Sequence, residues 1–205
     1  MTNKEKRAML IALVLGDGYI YCKKKYNNCG ISITHSIKQE DYIKYKSELL
    51  GEIFDTKPPK LHYNNDEFPG VVMTKGNKYF RILRKWMYNA NKKKISKKIL
   101  SYLTPKGIAI WYMDDGSLCA KKRKGRIHGS ELYISTYISK EENQLIIDYF
   151  KDTHDIQFTQ VKSKGKYRLR CGTKQAIKFI ELVKPFIISQ MSYKIALIKS
   201  GPILD

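Results

Sequence analysis

Side chains that hold soft metals are few in this sequence and never grouped. The four cysteines (Cys22, Cys29, Cys119, Cys171) form no Cys-x-x-Cys pair, and the four histidines (His35, His62, His128, His154) no HExxH or HxxxH pair. Structural zinc and a histidine-based metal centre are left without support, and the cysteines are expected to be free thiols in a reducing compartment. No stretch approaches the roughly 20 apolar residues that cross a bilayer. Lys4, Lys6 and Arg7 ahead of the apolar residues 9–15 imitate a secretory leader, but that run ends in Gly-Asp-Gly with no small-x-small cleavage site. A soluble intracellular protein with no membrane partner is the expectation. Low-complexity segments are also missing. Acidic residues are scarce: 19 Asp and Glu against 39 Lys and Arg give a net charge of +20. The excess is +12 before residue 104 and +8 after it, so it is not one basic tail on a neutral domain. Such a field seeks a polyanion, and 42% hydrophobic residues supply a core beneath it.

One motif is present twice. Residues 10–18 (LIALVLGDG) and 108–116 (IAIWYMDDG) are each an apolar, helix-length run that closes on an acid and a glycine. The acids, Asp17 and Asp115, stand 98 positions apart in a chain of 205. A carboxylate ending an apolar run must be paired or bind a metal, because burying its charge is costly. Two of them, similarly placed, predict a pseudo-twofold molecule with a single acidic centre.

The flanks repeat as well. Thr2-x-x-Glu5 is a capping box, so a helix starts near Asn3 and runs to about Gly16. Thr104-Pro105 places a capping threonine before a proline at the first helical position. Residues 19–25 are strand-like, and 31–37 alternate, with Ile31, Ile33 and Ile37 on one side and Ser32, Thr34 and Ser36 on the other. The second copy sets Leu132, Ile134, Thr136 and Ile138 against Tyr133, Ser135 and Tyr137. Helices are expected over 39–54 and 140–152, strands at 60–64, 70–75, 156–162 and 166–171, and closing helices over 77–89 and 174–188. Helix, two strands, helix, two strands, helix thus occurs twice. The halves are placed at 1–103 and 104–205, with the linker around 96–104.

With these residues in view, the chain resembles the LAGLIDADG family, in particular its single-chain, two-motif homing endonucleases. Both nine-residue segments match the family signature, with Asp17 and Asp115 at its eighth position. Leu103-Thr104-Pro105, the MDDGS of residues 113–117, Lys184-Pro185-Phe186 and the QMSYK of residues 190–194 are similar to the intron-encoded branch, so the resemblance covers nearly the whole chain. It implies an α+β fold of two pseudo-symmetric αββαββα halves. Each half would hold a curved four-stranded antiparallel sheet, with the two motif helices packed at the central interface. Ala12, Gly16 and Ala109 are the small residues that would allow close approach. The second motif departs from the pattern, with Ile110 where a small residue is usual and Asp114 at the seventh position.

The resemblance also implies a function: a monomeric, site-specific homing endonuclease that makes a double-strand break with short 3′ overhangs in a long DNA target. Phosphodiester hydrolysis needs an activated water and stabilised charge on the phosphorane and leaving oxygen, which divalent metals held by carboxylates supply. Mg²⁺ takes few protein oxygens. Asp17 and Asp115 are therefore the candidate catalytic and metal-binding acids, with Gly16 and Asp114 beside them in the metal set. Mn²⁺ is expected to substitute, and Ca²⁺ to bind without supporting cleavage. The family carries an active-site lysine near the end of each half. Lys194 matches in the second; in the first, internal alignment on Ile95 and Ile195 selects Lys94, whereas the family's spacing favours Lys93, and both stand. Base reading falls to outward strand positions: Tyr21, Lys23, Ser32, Thr34 and Ser36, then Lys121, Arg123, Tyr133, Ser135, Arg168 and Arg170. Because these differ between halves, the target is expected to be asymmetric. The rival function is an RNA-binding intron splicing cofactor (maturase) on the same fold, which makes intron RNA a second candidate partner. A catalytically silent DNA-binding regulator is the third. An intein origin is disfavoured, since no splicing domain flanks the motifs.

Overall fold

The computed structural model describes residues 1–23, 28–64, 67–75, 77–124, 126–163, 165–196 and 201–202. Helix α1 (Asn3–Leu15) opens on the expected capping box: Thr2 Oγ1 accepts from the Glu5 N–H at 3.3 Å, and the Glu5 carboxylate accepts from the Thr2 N–H at 2.7 Å. The chain divides into two compact units, Met1–Lys94 with Tyr102–Gly107 and Ile95–Ser101 with Ile108–Asp205.

In the first unit α1 is followed by β1 (Tyr19–Lys23), β2 (Asn28–Thr34), α2 (Glu40–Phe54), β3 (His62–Asn64), β4 (Phe68–Met73), α3 (Asn77–Met87) and a small hairpin, β5 (Tyr88–Asn89) and β6 (Lys92–Lys93). The sheet is antiparallel in the order β1-β2-β4-β3. Its register lines up Ile20, Ile31 and Met73, and pairs Ile33 with Val71, on one face. All five are buried, as are Tyr42, Ile43, Leu49, Leu50 and Ile53 of α2 and Phe80, Leu83 and Met87 of α3. Each fully buried apolar side chain of this size contributes about 1.5–3 kcal/mol. Arg84 ties the parts together. Its buried guanidinium donates to the Ile20 carbonyl (2.7 Å), the Ala90 carbonyl (2.8 Å) and Asn91 Oδ1 (2.6 Å), and lies 4.1 Å from the Tyr88 ring centroid. This anchors the β5–β6 hairpin to β1.

The second unit repeats the plan. After the short α4 (Lys97–Leu100) come α5 (Pro105–Asp115), whose first turn counts with the first unit, then β7 (Gly116–Arg123), β8 (Arg126–Ile138), α6 (Lys140–His154), β9 (Thr159–Ser163), β10 (Lys166–Gly172) and α7 (Thr173–Val183). Strands β7, β8, β10 and β9 pair in that order, which is the topology of the first sheet, and a two-residue β11 (Gly201–Pro202) adds to the start of β8. Leu132, Ile134, Leu169 and Cys171 face inward with Phe150, Phe158 and Phe179, whose ring centroids lie 5.0–5.8 Å apart. Burial pushes the Cys171 thiol up to about 12.

Some sequence expectations change. Of the strand expected over 19–25, β1 ends at Lys23, and Lys24 and Lys25 lie outside the described residues. Strand β2 ends at Thr34 because the chain turns at Ser36 into a 3₁₀ turn, Ile37–Gln39; Ile37, expected inward, is 43% exposed, and His35 takes the inward place. Cys22 and Cys29 are not free thiols. The β1–β2 register sets them directly opposite at a Cα separation of 4.0 Å, and they form a disulfide. The closing helix of the second unit stops at Val183, where Pro185 turns the chain into a 3₁₀ segment, Lys184–Phe186. Among the described residues no helix is long and apolar enough to cross a membrane.

Candidate active site

Both motif helices are apolar on every side. Residues 8–15 of α1 and 108–113 of α5 are all buried, as helices without a polar face must be. The glycine that closes each motif is a steric requirement. The Gly18 N–H turns back to the Leu13 carbonyl at 2.8 Å, so a Cβ on Gly18 would stand 2.4 Å from that oxygen. A Cβ on Gly116 would stand 2.1 Å from Tyr112 Cδ2. These tight turns leave Asp17 and Asp115 at the C-terminal ends of their helices, where the carbonyl ends of the helix dipoles gather negative charge. An acid there is unfavourable unless a cation joins it.

A lysine comes to the same point in each unit. Lys93 Nζ donates to the Gly16 carbonyl at 2.5 Å. Lys194 Nζ donates to the Met113 carbonyl at 2.5 Å and the Asp114 carbonyl at 3.1 Å. Gly16 and Asp114 both occupy the seventh position of their motif, so the two lysines are geometric counterparts. This separates the two first-half candidates: the Lys93 ammonium reaches the motif, whereas Lys94 offers its backbone N–H to the Met87 carbonyl at 2.8 Å and so closes the hairpin. The carbonyls of Gly16 and Asp114 each carry one ammonium contact. The Tyr112 hydroxyl, whose pKa burial raises, donates to the Lys194 carbonyl at 2.7 Å and docks the 3₁₀ segment Ser189–Ile195.

The surroundings of the two acids differ. The Asp17 side chain is 43% exposed and lies 3.7 Å from Nδ1 of the buried His35. His35 in turn contacts Gln39 Oε1 at 3.1 Å and Lys46 Nζ at 2.9 Å. Asp115 Oδ2 accepts from the Trp111 indole N–H at 3.0 Å. The sequence reading passed over His35, Gln39, Lys46 and Trp111. Parity held the signal for His35, which falls on the same side as Ile31 and Ile33. Helical spacing held it for Lys46, in the stripe with Tyr42, Leu49 and Leu50, and for Trp111, four residues before Asp115.

Each sheet's outer face carries most of the expected base readers. In the first unit Thr34 is exposed and Tyr21 and Ser32 are half-buried; the side chain of Lys23 lies outside the described residues. Tyr21 lies across Gly30, where a Cβ would meet its hydroxyl at 2.6 Å. Ser36 is exposed but is not a strand residue, because β2 has already ended. The sequence reading missed the exposed Tyr19, Tyr63 and Val72. In the second unit Lys121 is exposed and Ser135 half-buried, and the side chain of Arg123 lies outside the described residues. Arg168 stacks 4.1 Å from the Tyr133 ring centroid, while Arg170 pairs with Glu131, to which the Tyr133 hydroxyl donates at 2.7 Å. These two hydrogen bonds, Arg170's first, hold the Glu131 carboxyl below its ordinary range. Glu131 was not foreseen.

Known proteins resemble this chain. The model described as "LAGLIDADG DNA endonuclease family" matches residues 7–179. "Protein RecA" of Mycolicibacterium flavescens is 29% identical over 195 residues, 91% of this chain but 45% of that protein, so the chain spans about half the length of the mycobacterial relatives it matches. "Probable intron-encoded endonuclease 1" of Wickerhamomyces canadensis is 28% identical over 200 residues, 94% of this chain and 84% of that one. Among solved structures, the homing endonuclease I-WcaI bound to its DNA recognition sequence superposes with a TM-score of 0.79 at 24% identity, over 94% of this chain and 86% of that one. That likeness concerns the fold. The family match runs through both motifs, both sheets and both acid-bearing helix ends, and by it the chain belongs to the LAGLIDADG DNA endonuclease family.

Proposed function

We propose that the chain is a site-specific homing endonuclease that acts as a monomer and makes a double-strand break in a long DNA target by metal-dependent hydrolysis. One observation carries this reading: in each unit a motif helix ends in a carboxylate, and a lysine ammonium sits on the carbonyl at motif position seven. The donors are hard oxygens with no thiolate among them, a set that suits Mg²⁺, with Mn²⁺ as a substitute. Asp17 and Asp115 would each hold a cation, with the Gly16 oxygen beside the first and the Asp114 oxygens beside the second. Bound Mg²⁺ supplies a Lewis acid and an activated water. Lys93 and Lys194 keep positive charge close to where the phosphorane gains negative charge. Each acid serves one strand. Arg168, Arg170, Lys121 and the hydroxyl side chains bind phosphate and base edges from the outer faces. That binding weakens as salt rises, because neutralising phosphates releases counterions.

The test is a supercoiled plasmid carrying a target recovered by selection from a randomised library. Mg²⁺ should linearise it, Ca²⁺ should support binding without a cut, and Asp17→Asn or Asp115→Asn should abolish double-strand cleavage with binding retained. A bound but intact plasmid in both Mg²⁺ and Mn²⁺ overturns the reading, as do Asn variants that cut like the parent. Intact plasmid together with tight binding of intron RNA would turn it toward a splicing cofactor.

A further inference from the structure

The Asp17 carboxylate has a buried polar chain behind it that none of these roles uses. We infer that Lys46 and His35 are positioning residues for Asp17, an inference that rests on the endonuclease reading. Lys46 is fully buried in α2, among Tyr42, Ile43, Leu49 and Leu50. Its ammonium lies 2.9 Å from His35 Nε2 and 4.4 Å from the Tyr42 ring centroid. An ammonium has only donors, so Nε2 accepts and the ring proton stands on Nδ1. The Nδ1–H donates to Gln39 Oε1 at 3.1 Å, and the same ring edge lies 3.7 Å from Asp17 Oδ2, an electrostatic contact beyond hydrogen-bond distance. Gln39, on the 3₁₀ turn before α2, fixes the plane of the ring, and Lys46 fixes its tautomer and polarises it. The chain of groups therefore runs from the interior of α2, through the inward-facing histidine just past β2, to the end of the motif helix.

A buried ammonium is costly even after relaxation, and a methionine of similar length would fill the same space. The second unit shows what the cost serves. There the Trp111 N–H points at Asp115 Oδ2 from one turn up the same helix. Position 13 of α1, the equivalent place, is a leucine with no donor. The first unit instead brings the edge of the His35 ring, from just beyond β2, to 3.7 Å from Asp17 Oδ2, and Lys46 orients it. Groups that orient metal-binding carboxylates typically cost about 10–100-fold in metal affinity or activity when removed.

The experiment measures single-turnover cleavage of each strand of the selected target, with DNA affinity in Ca²⁺ and a thermal melt alongside. Lys46→Met should slow the strand that Asp17→Asn blocks by about 10–100-fold, so that nicked DNA accumulates while affinity is unchanged. His35→Gln, whose amide still donates, should keep more activity than His35→Leu. Lys46→Met leaves a buried acceptor unsatisfied and so destabilises; the double variant His35→Leu with Lys46→Met removes both partners, which is close to neutral for stability. The double variant should regain the melting temperature and stay slow. Double-variant cleavage at the parental rate means that the pair only holds the core together, and overturns the inference whether or not Lys46→Met folds. A parent protein that cuts neither strand overturns the endonuclease reading and this inference with it. A parent that cuts both strands beside a Lys46→Met that cuts equally fast overturns this inference alone.

Discussion

Replacing Lys194 by methionine separates two explanations of the same geometry. The Lys194 ammonium bonds the carbonyls of Met113 and Asp114 at 2.5 and 3.1 Å, which is what a lysine capping a helix C-terminus does. If capping were its whole role, losing it from a partly buried site would cost about 1–2 kcal/mol, or roughly 2–8 °C of melting temperature at this chain length. Methionine keeps the aliphatic stem. It also keeps the backbone carbonyl that receives the Tyr112 hydroxyl at 2.7 Å, so the segment Ser189–Ile195 stays docked. The catalytic role predicts a larger effect. One donor aimed at developing negative charge is worth about 10²–10³ in rate, more than the capping loss. Lys194→Met should therefore melt a few degrees lower yet slow cleavage of the Asp115-dependent strand by about 10²–10³, while Ca²⁺-supported DNA binding stays nearly intact. The assay follows supercoiled, nicked and linear plasmid over time; nicked DNA should accumulate. Lys93→Met should do the same to the other strand, and Lys94→Met should not. A Lys194→Met protein that melts lower but cuts both strands at the parental rate refutes the catalytic assignment, and so does a loss of affinity that matches the loss of rate.

Three further substitutions probe the supports around the acids. Glu131→Gln should release Arg170 for DNA, raise non-specific affinity and steepen the dependence of log Kd on log salt by about 0.9; an unchanged slope would show that Arg170 does not meet phosphate. Because Glu131's pKa is depressed in the fold by Arg170 and Tyr133, its contribution to stability is present above the unfolded value of about 4.3 and fades as pH falls through the depressed one. The gap in melting temperature between parent and Glu131→Gln should thus close in acid, and a constant gap contradicts the pairing. Gly18→Ala sets a Cβ 2.4 Å from a backbone oxygen that cannot move aside, so a loss of about 1–3 kcal/mol in a urea melt is expected, with cleavage of the Asp17 strand impaired; a parental midpoint would show that the turn is slack. Arg84→Met strands the buried Ile20 carbonyl and removes two part-buried bonds to Ala90 and Asn91, and should cost about 1–3 kcal/mol. It should also slow the strand served by Lys93, because that lysine sits on the hairpin Arg84 anchors; loss of stability without a strand bias would detach the two.

Local pattern made most of the fold legible. The repeated motif, the capping box at Thr2 and the alternation in β2 and β8 are each confined to a few residues, and each marks an element where it stands. What escaped notice depended on partners from other elements. Cys22 and Cys29 were judged by compartment, yet the β1–β2 register alone sets them opposite one another. Lys46 is a charged residue in an apolar stripe, and the place of His35 just past β2 brings it a polar partner from another element. The choice between Lys93 and Lys94 stayed open for a related reason. Alignment on Ile95 and Ile195 assumes like backbones, but Lys93 comes from a two-residue strand and Lys194 from a 3₁₀ segment. Equivalent ammonium positions are reached from unlike local structures, so counting residues from a shared isoleucine points to Lys94, whereas the ammonium on the Gly16 carbonyl is that of Lys93. Glu131 was invisible because its role is to neutralise Arg170, which the sequence lists 39 positions away.

The charge distribution works on two length scales, and the proposed chemistry needs both. A chain of net charge +20 repels divalent cations at long range and attracts polyanions. At the helix ends the sign reverses over a few ångströms: carbonyls that no turn satisfies, a carboxylate next to them, and one lysine that offsets only part of the charge. Salt screens exposed charges beyond about 8 Å under physiological conditions. The proposed long-range attraction for DNA would therefore be adjustable by ionic strength, whereas the proposed binding of a cation at Asp17 or Asp115 would be governed by oxygens in direct reach and be far less so. That separation explains why the acids stand at helix C-termini, the one place in such a basic chain where backbone dipoles already favour a positive ion. An acid at a helix N-terminus would be satisfied by backbone N–H groups and would have less to offer a metal.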